Sequence, residues 1–580
     1  MGLTGTTGDV RKALLERQLQ RLLGSLSRRE ETSAMLGHLL AVEEANHPLV
    51  RAAQRESRLM ADAQRQAVCE LLTAECQERP LVLALEDLHW CDSASIAALD
   101  SALRQLESLP LTVIATARPE GHEEIPGLWQ HRNVLELRLA PLSNKSAQRI
   151  IRSVLGAGVA PETVANIVTR AQGNAFYLEE LLRATAAGSK RLPDTVLGMV
   201  QSRLDGLGTD HKRLLRAASI FGERFELGAA QALLGVDAVR LPVDNIVADL
   251  LEREILSQED KQLRFRHGLV RDAAYAMLTD KDRALGHRLA AEWLRDRPDP
   301  DAFAIAEHFR RGGKADQAAP LYLVAAKHAL AAGAHERALE HVTCAQEGEV
   351  APALQGALFA VRAEAQRYLA DPKQALASAR SALSMLEPAR EDYFHAMREC
   401  VLAATQLGDY AAALRAAKWL SATEVLPPTC SLRAITLLRV ATALLEGVSG
   451  TEIDTWLAPH VDEVAQQARD ELQVRAWFCV YRSLRAHVDG DLEGYVHETE
   501  QAEMAMRKLG DARSACVFGM NLGYGMARIG ELSRAVEVLL EAERRSRRLG
   551  LVRTEVQATT NLSYALLCTG NLPAAPTSPS

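Results

Sequence analysis

From about residue 300 onward a short unit repeats, and this period constrains the fold more than any single motif in the chain. Ala/Leu-rich stretches of helical character are broken by small turns, and most turns are followed five residues later by alanine. Gly333 precedes Ala338, Gly408 precedes Ala413, Gly530 precedes Ala535 and Gly570 precedes Ala575. Ala370-Asp371-Pro372 is a similar break before Ala375, and Gly490 is another, with Tyr495 in the fifth place. Successive breaks lie 37, 38, 82, 40 and 40 residues apart, 82 being two periods of 41. Asn521-Leu522-Gly523-Tyr524 returns as Asn561-Leu562-Ser563-Tyr564. Two helices per unit at this period predict a helical solenoid, the alternative being an irregular helical bundle. Glycine ends a helix because it takes the left-handed cap without a steric penalty. The alanine five residues on lets the next helix approach closely. Pro573 to Ser580 reads as a tail.

Composition bounds the rest. The chain has 580 residues, 48% apolar and 24% charged, with 67 Lys and Arg against 75 Asp and Glu for a net charge of −8. That balance gives no reason to expect a coat for nucleic acid or for an anionic membrane. No run approaches the roughly 18 apolar residues a spanning helix needs. Nine widely spaced cysteines without a Cys-x-x-Cys pair argue against a disulfide scaffold or zinc knuckle, and for a cytoplasmic chain of reduced thiols. Met1 to Val10 has no apolar core of a signal peptide. Met1 to Thr6 fits the short myristoylation pattern, which carries little information.

The β-sheet signals are local. Leu81 to Leu85 and Leu111 to Ala115 are continuous apolar runs suited to strands buried on both faces. Val134 to Leu139 is a third. A helical stretch at about Ser93 to Leu106 separates the first two, and strand-helix-strand in this order predicts a parallel α/β sheet. The first run ends in Glu86-Asp87, followed by Leu88-His89-Trp90-Cys91-Asp92. An apolar strand ending in paired acids is the Walker B arrangement. In an open parallel sheet ligands sit beyond the carboxyl ends of the strands. A carboxylate there can hold hydrated Mg²⁺ beside nucleotide phosphates, and a second can orient the attacking water. Acids also end strands merely for solubility. The second run ends in Thr116-Ala117-Arg118-Pro119, where an arginine can reach a γ-phosphate or simply precede a turn. Further on, Gln172-Gly173-Asn174-Ala175 breaks the chain ahead of an amphipathic helix, Phe176 to Leu182.

Leu81 to Asp92, Ala115 to Glu120, Gly173 to Leu182 and Phe265 to Leu278 together resemble the STAND class of signalling P-loop ATPases, within the AAA-like group. The later repeats resemble tetratricopeptide repeats of the long variety. More narrowly, the chain resembles bacterial multidomain regulators in which such an ATPase precedes repeats, often with a serine/threonine kinase, cyclase or helix-turn-helix domain attached. Leu85-Glu86-Asp87-Leu88-His89-Trp90 is the most specific piece. The resemblance implies ATP or ADP with Mg²⁺ as cofactor, Glu86 at the Mg²⁺-associated position, Asp87 as the catalytic acid and Arg118 as the sensor arginine. Gly173 to Ala175 matches a Gly-x-Pro element whose proline packs on adenine. Ala175 stands in place of that proline, which leaves the contact open. His267 either touches a phosphate or packs at a strand end.

The implied fold is an incomplete α/β P-loop NTPase core followed by a winged helix and an all-α tetratricopeptide-like solenoid, mostly α overall. Its divisions are a helical segment at 1–75, a Walker B core at 76–145, a helical lid at 146–195, a winged-helix region at 196–295, repeats at 300–572 and a tail at 573–580. The chief departure is an absence. No Gly-x-x-x-x-Gly-Lys-Ser/Thr occurs in the chain, so the amides and lysine that cradle phosphates are missing. Gly2 to Gly8 and Gly312-Gly313-Lys314-Ala315 lack its other marks. The expectation is therefore an N-terminally truncated chain, with the P-loop and an upstream effector beyond Met1.

Kinase signatures and metal-spaced ligands are also absent, so the chain is not itself a protein kinase. The candidate recognition helix around Val243 to Arg253 carries Asp244, Asp249 and Glu252, which would repel phosphate, so no direct nucleic-acid binding is expected. The leading reading is a nucleotide-controlled switch whose repeats bind proteins or peptides and whose core can oligomerise. A non-enzymatic scaffold with a degenerate core is the alternative, and a transcriptional regulator acting by association a third.

Overall fold

The computed structural model describes residues 29–39, 57–86, 88, 91, 93–117, 134–186, 196–235, 242–259, 262–297, 300–331, 334–388, 390–422, 430–445, 447–548 and 551–569, with Arg17, Arg21 and Val50. Asp87, Arg118, Gly333, Gly570, Ala575, the Gly2–Gly8 stretch and the 573–580 tail lie outside the described residues. The chain divides into two compact units, Met1–Leu128 with Ala315–Ser580, and Trp129–Lys314.

The first unit opens with α1 (Arg29–Leu39) and α2 (Ser57–Glu78), followed by β1 (Leu81–Leu85), α3 (Ser93–Gln105) and β2 (Leu111–Ala115). The strands are parallel, with Leu81 opposite Leu111 and Leu85 opposite Ala115. Both apolar runs thus become strands with the expected bounds. One face is covered by α2 and α3 through Cys69, Cys76, Ala102 and Leu106. The other is open among the described residues, with Val82 59% and Ile114 58% exposed, where burial on both faces was expected. Two strands with helices on one side cannot enclose the second face.

In the second unit α4 (Asn144–Leu155), α5 (Pro161–Ala171) and α6 (Ala175–Ala186) pack around Ile151, Ile167 and Leu181. The Ser143 hydroxyl caps α4 by accepting from the Ser146 N–H at 3.1 Å. Val134 to Leu139, expected as a third strand, has no ladder partner among the described residues, and Leu139 is 96% exposed. An apolar run becomes a strand only where another strand satisfies its backbone groups.

Next come α7 (Val196–Asp205), α8 (Thr209–Ser219), β3 (Arg224–Phe225), α9 (Leu227–Leu234), α10 (Val243–Glu252), β4 (Leu256–Glu259), β5 (Gln262–Phe265) and α11 (Gly268–Ala276). The strands form an antiparallel sheet in the order β3-β5-β4. Leu214, Leu250, Phe265 and Ala274 share its core with the helices. β3, two residues long, is too short to carry a sequence period. α12 (Asp280–Arg295) and α13 (Ala302–Arg311) complete the unit. Here Tyr275 Oη and His308 Nδ1 each lie 2.9 Å from His287. Burial pushes both histidines down to about 4, so each packs as a neutral ring at pH 7.

The solenoid returns the chain to the first unit. Its helices are α14 (Ala315–Ala331), α15 (His335–Ala345), α16 (Pro352–Tyr368), α17 (Pro372–Met385), α18 (Glu391–Gln406), α19 (Tyr410–Ala422), α20 (Cys430–Leu444), α21 (Gly450–Leu457), α22 (Val461–Asp470), α23 (Leu472–Asp489), α24 (Leu492–Leu509), α25 (Ala512–Arg528), α26 (Leu532–Arg548) and α27 (Val552–Thr569). Most pack on the next in sequence, and α14 on α16, α16 on α18, α18 on α20 and α25 on α27, as stacked hairpins require.

Four of the described turns share one chemistry. Gly408, Gly490 and Gly510 have φ of +75°, +79° and +76°, and each is followed by aspartate. The N–H groups of Asp409, Asp491 and Asp511 close the preceding helix on the carbonyls of Ala404, Ala486 and Met506 at 2.9, 2.9 and 3.0 Å. Their carboxylates then accept from the N–H groups of Ala412, Gly494 and Ser514 at 3.0, 2.8 and 2.8 Å, opening the next helix. One residue therefore satisfies orphan groups of two helices. Ala370-Asp371 does the same with φ +63° at Ala370, Asp371 N–H reaching Gln366 and its carboxylate taking Gln374 N–H at 3.1 Å. Five residues after the breaks, Ala338, Ala375, Ala413 and Ala535 are fully buried, and Tyr495 nearly so. Gly510, which the repeat spacing does not single out, is a further break, and Ala515 is buried five residues on.

Two substitutions test this turn register in urea melts. Ala535→Leu should cost about 1–3 kcal/mol by overpacking, and equal stability would refute the register. Ala370→Gly should stabilise by about 0.5–1 kcal/mol, the left-handed penalty of alanine less the freedom glycine adds to the unfolded chain.

Candidate functional site

The predicted site residues fall in both units. In the first, β1 delivers Glu86 to the carboxyl end of the parallel sheet, where its side chain is exposed. The backbone continues the pairing past the strand ends: Thr116 N–H donates to Leu85 O at 2.9 Å and Leu88 N–H to Thr116 O at 2.8 Å. Glu86 is thus held between two residues bonded to the end of β2. Asp87 and Arg118, the other acid and the sensor arginine, are outside the described residues.

In the second unit Gly173 ends α5 with φ +76°, following Gln172, itself left-handed at φ +47°. A Cβ at Gly173 would stand 2.7 Å from Pro141 Cβ and 2.8 Å from Leu142 O, and Gly173 O accepts from Leu142 N–H at 2.9 Å. Glycine is required here twice, for its φ and for this close approach. Asn174 then caps α6, its Oδ1 accepting from Tyr177 N–H at 3.0 Å. Ala175 is the exposed first residue of α6. Proline is most readily tolerated at that position, because its missing N–H would bond nothing within the helix.

His267 is the N-cap of α11, its carbonyl accepting from Val270 N–H at 2.9 Å. Its ring packs on Phe176 at 4.2 Å between centroids. Burial lowers its pKa, while Glu179 and Glu180 pull the other way, so it is neutral at pH 7. The structure therefore brings His267 to the residue beside Ala175, at the junction of two helix N-termini.

The same junction is tied by charges that no local sequence signal announces. Arg203 meets the buried Glu180 through Nη1 at 2.9 Å and donates through Nη2 to Arg253 O. Arg183 joins Glu179 at 2.7 Å and also Glu254, which Arg266 contacts at 3.2 Å. Glu254 holds a left-handed backbone at φ +53° to do so.

Among the described residues one group has metal-type donors in reach of one another: Glu364, His395 and Glu399. Arginines already occupy it. Arg398 contacts Glu364 at 3.3 Å and Glu399 at 2.9 Å, and Arg367 takes the other Glu399 oxygen at 2.5 Å. His395 Nε2 lies 2.5 Å from Glu364. This is a buried, paired ionic cluster joining α16 to α18. No described helix is long and apolar enough to cross a membrane.

No family model matches the chain. Over 319 residues, 49% of this chain, it is 26% identical to an uncharacterized protein of Rhizobium meliloti (strain 1021). The match spans 30% of that relative's length. Among solved structures the chain is similar to the signal transduction ATPase with numerous domains (STAND) protein with a tetratricopeptide repeat sensor from Pyrococcus horikoshii. The TM-score is 0.53 over 91% of this chain and 79% of that one, at 14% identity. At that identity the likeness is one of fold.

Proposed function

We propose that the chain is a regulator of the signalling-ATPase kind, in which a Walker B strand serves a nucleotide-controlled switch and the solenoid binds protein or peptide partners. The observation that carries the reading is Glu86 at the carboxyl end of a parallel strand, in a chain whose fold resembles a STAND ATPase with a repeat sensor over 91% of its length. The three-stranded sheet with its helices supports a winged helix at 196–295. The charges binding α6 to Arg203, Arg253 and Glu254 support a role in holding the lid closed on it. Asp249 on α10, engaged with Arg253 at 2.8 Å and His211 at 2.9 Å, suits a structural role better than a nucleic-acid face.

The implied cofactor is ATP or ADP with Mg²⁺. Glu86 fits the Mg²⁺ side of such a site, being exposed and held at the strand end. The phosphate side does not fit, because no Gly-x-x-x-x-Gly-Lys-Ser/Thr loop exists in the 580 residues. The same absence favours the second reading, a non-enzymatic scaffold with a degenerate core.

Calorimetric titration with Mg²⁺-ATP tests the phosphate side. The chain should bind weakly or not at all and hydrolyse none. A micromolar Kd that Glu86→Gln weakens would overturn this expectation and exclude the scaffold reading. The adenine element gives a second test. Ala175→Pro should change stability by less than about 0.5 kcal/mol at its helix-opening position. Gly173→Ala should cost about 2 kcal/mol or more, from φ and the Pro141 clash combined. Equal urea midpoints for these two variants would contradict the assigned turn.

A further inference from the structure

Between α24 and α26, each of which packs on α25, the solenoid leaves a cavity of about 300 Å³, lined among the described residues by these three helices alone. That volume is at the lower end of the range of ligand pockets. The floor is small and apolar. Ala515, Gly519, Leu522 and Ala542 are buried, and burial pushes the Cys516 thiol up to about 11, so it stays neutral at pH 7. The walls carry four carboxylates, Glu500, Glu503, Glu537 and Glu541, against two guanidiniums, Arg507 and Arg545. Glu503 accepts from Arg507 Nε at 3.0 Å, Glu541 accepts from Arg545 Nε at 2.6 Å, and Glu500 meets Arg534 at 3.2 Å. Glu537, exposed on α26, has neither an ion pair nor a hydrogen bond among the described residues.

α25 holds three glycines, Gly519, Gly523 and Gly525. Two are required by packing. A Cβ at Gly523 would stand 2.4 Å from Leu539 Cγ, and one at Gly525 2.9 Å from Val496 Cγ2. At Gly519 the nearest atoms would be Ala542 Cβ at 3.7 Å and Glu503 Cγ at 3.9 Å, which are ordinary contact distances. Glycine inside a helix weakens it, and no neighbour at Gly519 demands it. What the missing side chain provides there is room on the cavity floor.

We propose that this cavity is a docking site for a basic side chain, lysine or arginine, presented by a partner protein, with the aliphatic stem on the Gly519 floor and the cationic head at Glu537. Charge complementarity selects the occupant. The carboxylates outnumber the guanidiniums, and the one carboxylate left without a partner is Glu537. An acidic side chain would meet like charge there, and a purely apolar one would leave Glu537 unanswered. A lysine or arginine joins an apolar stem to a charged head, so it covers the floor and reaches the wall at once. Elsewhere α24 and α25 are covered by the chain itself: Ala502, Met506 and Ala515 share a buried cluster with Met60 and Ala63 of α2, and Arg513 pairs with Asp62 at 2.5 Å. The proposal deepens the reading of the solenoid as the protein-binding part and rests on it. Its test uses no nucleotide and addresses one cavity, so its failure leaves the nucleotide reading and the other faces of the solenoid untouched.

The probe is a fluorescein-labelled peptide amide, Ala-Ala-Ala-Lys-Ala-Ala-Ala, titrated with the full chain by anisotropy beside versions with arginine, norleucine or glutamate at the centre. The lysine or the arginine peptide should bind about tenfold more tightly than the norleucine and glutamate peptides. Glu537→Lys, at an exposed position that the fold does not use, should remove that preference. Gly519→Leu should weaken the basic peptides by filling the floor. Gly519→Ala serves as the control on folding: its urea midpoint should equal or exceed that of the wild type, and a lower one would refute the argument from the floor. Equal affinity of the basic and norleucine peptides, none detectable included, would overturn the proposal, as would a basic preference that survives Glu537→Lys. So would tighter binding of free putrescine than of either basic peptide, because the site would then belong to a diamine and not to a protein.

Discussion

The solenoid depends on what happens in the two residues between one helix and the next. A left-handed residue releases the chain from the finished helix, and the aspartate after it closes that helix with its N–H and opens the following one with its carboxylate. At these four turns each junction is satisfied by groups within a few residues of it. Among these four turns the left-handed residue is what varies. Where Ala370 takes the place of glycine, Asp371 and the Pro372 that opens α17 still enforce the same geometry.

Features fixed by such local rules were legible in the sequence. Leu81 to Leu85 and Leu111 to Ala115 become strands with those bounds, because short apolar runs bounded by Pro80 and Pro110 have few alternatives. Ala535 is buried because its distance from Gly530 sets its helical face. Features set by distant partners were not legible. Val134 to Leu139 has the composition of a strand but no pairing among the described residues. Nothing near Asp62 indicates Arg513, and nothing near Arg183 indicates Glu254.

The candidate site divides in the same way. The break at Gly173 was legible from its place between two helical stretches, while its left-handed φ and the contact with Pro141, which together require glycine, come from the structure. The position of Ala175 was legible, while the helix-opening geometry that would accept a proline there was not. His267 was singled out for a phosphate or for packing, and its ring meets Phe176. An aromatic ring 91 positions away in the chain leaves no trace in the local pattern around His267.

The seat of α2 also has a consequence for biosynthesis. Asp62 and Arg513 are separated by about 450 residues, roughly 20–90 s of translation at ordinary elongation rates. α14, which packs on α2, is made well before α25, whose Ala515 shares the buried cluster of Met60, Ala63 and Ala67. α25, made after α14, completes the buried cluster around α1 and α2.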